Sequence, residues 1–278
     1  MPLNINEHSR GSAGLTYVYP VVSRRSGGVS VGINLNPNNA CNWRCVYCQV
    51  PELKLGAAPQ IDLDKLEGEL SGFLYELLHG DFMNERVPED LRRINDVAIS
   101  GNGEPTSALE FDSIVERIGE VILDSELPLD VRLVLITNGS LIHKQQVRAG
   151  LNRMASLNGE VWFKLDSATV SGRKRINDTA IGSDLVLGNL EICASLCPTW
   201  LQTCVFQLDG HPPSGEEREA YIEFVSPLAK DLKGVLLYGL ARKSCQAEAA
   251  RLSPVSREWI AQFGDDIRKA GLAVRIFL

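Results

Sequence analysis

Apolar positions along this chain fall into two alternating rhythms. Residues 1–28 are polar, rich in Gly and Ser, and end in "VSRRSGG"; they read as an irregular N-terminal extension. The following "VSVGINLN" is apolar at every second position and predicts a strand near Val29–Asn34. Leu63, Leu66, Leu70, Phe73, Leu74 and Leu77 then recur at the spacing of an amphipathic helix. "VAIS" (Val97–Ser100) predicts a short buried strand, and Ile114, Ile118, Val121 and Ile122 mark a helix over Ser113–Leu123. Ser113, with Glu116 three residues on, has the form of a capping box for that helix.

The same alternation runs to the end of the chain. "RLVLIT", "VWFKLD", "LQTCVFQL", "GVLLYGL" and "AVRIF" predict strands, separated by helices over residues 141–154, 183–196, 215–229 and 254–270. Six strand–helix units and a closing strand imply a mainly parallel sheet covered by helices. No long low-complexity linker interrupts the pattern, so the chain reads as one domain with a core over residues 29–278. A βα barrel and an open doubly wound sheet both suit the pattern, and both place the active site at the carboxyl ends of the strands. The informative polar stretches fall there: a cysteine-bearing loop, then "GNGEP", "NGS" and "KLDSA".

Composition narrows the reading. With 278 residues, 44% of them hydrophobic, the chain can bury a large core. A net charge of -7 argues against a general basic footprint for nucleic acid and leaves room for a local patch. The first residues lack the apolar core of a secretory signal, and no apolar run is long enough to span a membrane. A cytoplasmic protein is expected. Seven cysteines in a reducing compartment read as thiols, metal ligands or redox groups rather than as a disulfide framework.

Three of those cysteines, Cys41, Cys45 and Cys48, lie within eight residues. A closed structural zinc site wants four protein ligands. No second paired motif exists, and His8, His79, His143 and His211 are scattered. Three thiolates holding a cluster of four irons leave one iron open for a substrate or cofactor. The alternatives are a non-catalytic zinc- or Fe–S-binding interaction module, or three buried thiols without metal.

At these residues the chain resembles the radical S-adenosylmethionine (radical SAM) enzymes, whose signature is C-x3-C-x2-C with an aromatic before the last cysteine, here Tyr47. "PVVSRRSGGVSVGINLNPNNACNWRCVYCQ", "ISGNGEPT", "LITNGSL" and "FKLDSA…RKRIN" are similar to the branch of Fe–S oxidoreductases related to the wyosine-tRNA radical enzymes. The likeness covers residues 19–180 by motif and the rest by βα pattern. It implies a partial (βα)6 barrel and a [4Fe–4S] cluster on Cys41, Cys45 and Cys48. It also implies that SAM chelates the open iron through its amino and carboxylate groups, and that its reductive cleavage yields a 5′-deoxyadenosyl radical that abstracts hydrogen from substrate. The backbone beside Tyr47 would then meet the adenine.

The other polar stretches gain roles in that setting, each beside a plainer one. Gly101 and Gly103 of "GNGEP" permit close backbone approach, and Glu104, followed by Pro105, can accept hydrogen bonds from the SAM amino group; the plainer reading is an ordinary β-to-α turn. Asn138 and Ser140 suit a ribose, or Ser140 caps the next helix. Period two puts Trp162, Lys164 and Asp166 on one strand face, where Lys164 would neutralise the SAM carboxylate and Asp166 would pair with it or with the ribose. A structural Lys–Asp pair is the alternative. The basic clusters "SRR" (Ser23–Arg25) and "RKRIN" (Arg173–Asn177), and Arg242 after "LLYGLA", are candidate anion contacts or solvated cations. Cys193, Cys197, Cys204 and Cys245 could hold a second cluster, but the first two read as helix core. An external electron donor of flavodoxin or ferredoxin type is expected. The substrate stays open among an RNA base, a small metabolite and a protein residue, with no membrane partner.

Overall fold

The computed structural model describes residues 14–23 and 27–278. Its first strands, β1 (Val18–Ser23) and β2 (Gly28–Ile33), form an antiparallel pair, and two short strands follow, β3 (Ala40–Cys41) and β4 (Lys54–Leu55). Next come α1 (Leu63–His79), the single-turn α2 (Phe82–Arg86), β5 (Ile94–Ile99), α3 (Phe111–Asp124), β6 (Arg132–Thr137) and α4 (Gln145–Ser156). β7 (Glu160–Lys164) leads into α5 (Val170–Asn177) and α6 (Ser183–Leu196), then β8 (Thr199–Val205), β9 (Gln207–Leu208) and α7 (Gly215–Val225). β10 (Gly234–Gly239), β11 (Leu252–Ser253), α8 (Arg257–Lys269) and β12 (Val274–Phe277) complete the chain.

Eight strands make one sheet in the order β1-β2-β5-β6-β7-β8-β10-β12. Every pairing after β1–β2 is parallel, so the sheet advances one βα unit at a time and curls into a half-barrel. β1 and β12 are its two edges. The α/β class and the six βα units plus a closing strand therefore stand as the sequence predicts. The outer face packs on the helices: α1 buries Leu66, Leu70, Phe73, Leu74 and Leu77, with Asp62 capping its start by accepting from the Lys65 amide. Inner-face residues line a cavity instead, so β2 is buried along its whole length without an alternating exposed side.

Several boundaries differ from the sequence reading. Val18–Ser23, assigned to the irregular extension, is a strand: Pro20 is tolerated because β1 is an edge. The helix expected from Ser113 starts at Phe111, with Glu110 at its N-cap making no side-chain cap bond, so no Ser113–Glu116 capping box forms. Fully buried Phe111 draws in the two extra residues by packing on Gly150 of α4. The helix expected from residue 141 starts at Gln145, with Lys144 at its N-cap, so Ser140 does not cap it. The sequence pattern does not mark α5, because its buried face uses Arg173 in place of an apolar residue. That guanidinium is 2% exposed and donates to the carbonyls of Ala168 and Ile181 and to the Ser183 hydroxyl.

Candidate active site

The loop from β2 into β3 carries the three cysteines, and hydrogen bonds shape it before any ligand is considered. Buried Asn34 turns its Oδ1 onto the amides of Asn36 and Asn102, each at 3.0 Å, joining the exits of β2 and β5. Buried Asn36 donates to the Ala40 carbonyl at 2.9 Å and so sets the loop's width. Within the loop, the Cys48 amide donates to the Cys45 carbonyl at 2.9 Å, a turn that brings the last two thiols together. Cys41, Cys45 and Cys48 all line one cavity of about 300 Å³ at the carboxyl ends of the strands. Among the described residues, no three His, Cys, Asp or Glu side chains converge to hold a single metal ion. The three thiols open on the same space, and soft sulfur donors suit iron.

Glycine sets the distance between this loop and its neighbours. A Cβ at Gly103 would overlap the Ala40 carbonyl oxygen, and one at Gly101 would overlap Asn34 Oδ1. Both positions line the cavity beside the thiols. Glu104 follows, 2% exposed, and ties its own turn to the end of β6. Its Oε1 accepts from the Thr106 amide and hydroxyl and from the Thr137 hydroxyl, at 3.1, 2.6 and 2.6 Å. Its Oε2 accepts from the Asn138 amide at 2.6 Å. Burial pushes the Glu104 carboxyl above the usual carboxylate range, against the pull of these donors. Pro105 opens the short 3-10 turn Pro105–Ser107 that Glu104 caps, and it does not line the cavity.

The third polar stretch braces the cysteine loop. Asn138 Nδ2 donates to Asn42 Oδ1 at 2.8 Å, and Asn42 Nδ2 donates to Ser140 Oγ at 2.8 Å. Asn138 lines the cavity; Ser140 does not. Sequence reasoning passed over Asn42 and the buried, cavity-lining Trp43, although both sit inside the cysteine spacing.

On the opposite flank, Lys164 Nζ donates to the hydroxyls of Tyr47 and Tyr238, at 2.8 and 3.4 Å. The Tyr47 hydroxyl donates to Asp166 Oδ2 at 2.5 Å, and Asp166 Oδ1 accepts the Cys204 amide. Asp166 thus pairs with Tyr47 rather than directly with Lys164. Lys164 and Tyr47 line the cavity that holds the thiols, and Asp166 lies behind Tyr47. Burial works against the Lys164 charge, but Tyr238, Asp166 and Cys45 hold its pKa above the ordinary lysine value. Asn177, at the end of α5, donates from one amide nitrogen to Asp166 Oδ2 at 2.8 Å and to Cys45 Sγ at 3.2 Å. Burial pushes the Cys41 and Cys45 thiols up to about 12, so metal binding at these sulfurs has protons to displace.

The remaining candidates separate. Arg173 of "RKRIN" is spent inside the fold, Lys174 pairs with Asp178 and Arg175 with Glu217. That cluster is a structural and ion-paired feature, not an open anion site. Arg24 and Arg25 of the other basic cluster lie outside the described residues. Arg242 lines the cavity. Cys193 and Cys197 are buried in the outer core, Cys204 is on the cavity wall, and exposed Cys245 donates to the Gln49 carbonyl beside the cysteine loop. Among the described residues no helix is long and apolar enough to cross a membrane.

Comparisons with known proteins place the chain in a family. The Radical SAM superfamily model matches residues 35–225. The UPF0026 protein slr1464 of Synechocystis sp. is 29% identical over 60% of this chain and 55% of its own length. The UPF0026 protein MJ1312 of Methanocaldococcus jannaschii is 30% identical over 62% of this chain and 46% of its own. The GTPase Obg of Brachyspira hyodysenteriae is 30% identical over 48% of this chain and 17% of its own, so the chain spans about half or less of these relatives. Among solved structures, a radical SAM methyltransferase from Sphaerobacter thermophilus superposes with a TM-score of 0.59 at 15% identity, over 90% of this chain and 66% of that one. The [FeFe]-hydrogenase maturase HydG from Carboxydothermus hydrogenoformans gives 0.54 at 14%, over 88% and 52%. An anSMEcpe structure with bound AdoMet gives 0.54 at 15%, over 88% and 62%. These structural likenesses carry the fold. The family match spans most of the chain and includes the cysteine loop, the glycine turn and the lysine strand: the chain belongs to the radical SAM superfamily.

Proposed function

We propose that this protein is an enzyme that holds a [4Fe–4S] cluster on Cys41, Cys45 and Cys48 and cleaves SAM reductively to abstract hydrogen from a substrate in the half-barrel. The observation that carries the reading is the shared cavity. Three thiols, the Gly101–Glu104 turn and Lys164 come from three separate strand ends and open on one space. The cluster, when bound and reduced, supplies the electron for splitting the sulfonium.

The chain's own residues bind, orient and exclude water. Gly101 and Gly103 give backbone access where a side chain would collide with the cysteine loop. Glu104 is held rigid by four donors, and its Oε2 keeps capacity to accept from an ammonium group. Lys164 offers a half-buried cation for a carboxylate. Asn138 gives a polar edge for a ribose, and the backbone beside Tyr47 a place for the adenine. Trp43, Trp162 and Ile136 line the space and reduce water access. An external flavodoxin- or ferredoxin-type protein is the proposed electron source. An RNA base, a small metabolite and a protein residue remain the substrate classes.

Anaerobic reconstitution with iron and sulfide tests this. A brown protein that releases 5′-deoxyadenosine from SAM and dithionite, and a Cys45→Ala variant that does not, is the expected result. A colourless protein that takes up zinc and leaves SAM intact would overturn it and favour the interaction module.

A further inference from the structure

One buried amide touches a proposed cluster ligand. Asn177 is 1% exposed, and its Nδ2 lies 3.2 Å from Cys45 Sγ. The same nitrogen donates to Asp166 Oδ2 at 2.8 Å. Its two hydrogens therefore have two acceptors, one oxygen and one sulfur, and little freedom to choose others. Asp166 is itself fixed from two further sides, by the Tyr47 hydroxyl at 2.5 Å and the Cys204 amide at 3.0 Å. The backbone repeats the connection: the Asn177 carbonyl accepts from the Arg44 amide and the Ile176 carbonyl from the Val46 amide, on either side of Cys45. The end of α5 thus grips this one ligand through side chain and main chain together.

An N–H aimed at a thiolate sulfur stabilises negative charge on it. That stabilisation is larger when the attached cluster carries an extra electron, so the donor raises the reduction potential. We propose that Asn177 is a positioning residue that sets the reduction potential of the cluster through its hydrogen bond to Cys45. The inference rests on the cluster reading above and adds a residue outside the cysteine motif. Burial keeps the bond unscreened. Asp166 keeps the amide turned toward the sulfur rather than into the cavity.

The test is a redox titration of the reconstituted full chain, followed by the electron paramagnetic resonance of the reduced cluster. Asn177→Leu keeps the branched side-chain shape and removes the donor. It is expected to hold the wild-type iron content and to show a more negative midpoint potential. An unchanged potential at full iron content overturns the proposal. Should Asn177→Leu fail to hold iron, wild-type protein carrying asparagine labelled with ¹⁵N in the side chain decides it. A ¹⁵N coupling to the reduced cluster supports the proposal and its absence overturns it. Asn42 does not confuse the readout, because its amide is committed to Ser140 Oγ. A wild-type protein that takes up no cluster would instead refute the enzyme reading, which separates the two failures.

Discussion

The cysteine loop has two flanks, and they are built from different chemistry. Toward β5 and β6 it is braced by neutral amides and hydroxyls: Asn34, Asn36, Asn42, Asn138 and Ser140 bond one another and the backbone. Glu104 adds a carboxylate there, wrapped by four donors. Toward α5 and the segment after β10 the loop is held by ionised groups. Arg44 forms a two-pronged pair with Glu248, both contacts at 2.9 Å, and reaches Asp178 at 3.4 Å. The neutral flank is short-ranged and buried except at exposed Asn42, so it fixes backbone positions closely. The charged Arg44 flank is about one-third exposed, so salt and pH reach it. One flank gives precision and the other an adjustable latch.

The largest expected effect is on the neutral flank. Glu104→Ala leaves the Asn138 amide and the Thr137 hydroxyl without their acceptor, and urea unfolding should show a loss of about 3 kcal/mol or more. Gly103→Ala forces the cysteine loop off the Ala40 carbonyl; a loss of about 2 kcal/mol is expected, together with weaker SAM binding by calorimetry. Asn42→Ala removes two side-chain bonds, and about 1 kcal/mol should go with them in the same unfolding assay. Arg44→Ala should cost only about 0.5 kcal/mol, an amount that shrinks in high salt. Its clearer mark is faster amide exchange over residues 244–251. If Arg44→Ala proved more damaging than Glu104→Ala, the ordering of the two flanks would be reversed.

Acid sharpens the same contrast. The hydrogen bond from Arg44 holds the Glu248 carboxyl below its ordinary value of 4.5. A depressed carboxyl contributes stability above its unfolded pKa and loses it as pH falls through the folded one. Exchange of residues 244–251 should therefore rise first below about pH 4.5. Glu104 has the opposite sign: its folded pKa lies above 4.5, so protonation on acidification relieves its burial rather than breaking a contact. The β5–β6 flank should stay protected while the latch opens.

Much of this was legible in the residues. Period-two and period-3.6 patterns marked the six βα units because the outer sheet face and the inner helix faces bury the same apolar core. The cysteine spacing, the glycine turn and Lys164 pointed to one cavity because each ends a strand of a single parallel sheet. What escaped were features whose logic is not periodic. α5 hides its buried face behind Arg173, whose donors satisfy backbone carbonyls. Asn42 and Asn177 act through partners 96 and 132 residues away, a separation no local pattern encodes. β1 was missed because Pro20 and the flanking glycines suit an edge strand as well as a loop.

The proposed chemistry needs one iron of the cluster to have no protein ligand. Mössbauer spectra of the ⁵⁷Fe-reconstituted protein, taken before and after adding SAM, test that claim most directly. The prediction is that one iron site of about four changes its isomer shift when SAM is added, while the others stay in place. Four sulfur-ligated irons indifferent to SAM would contradict it.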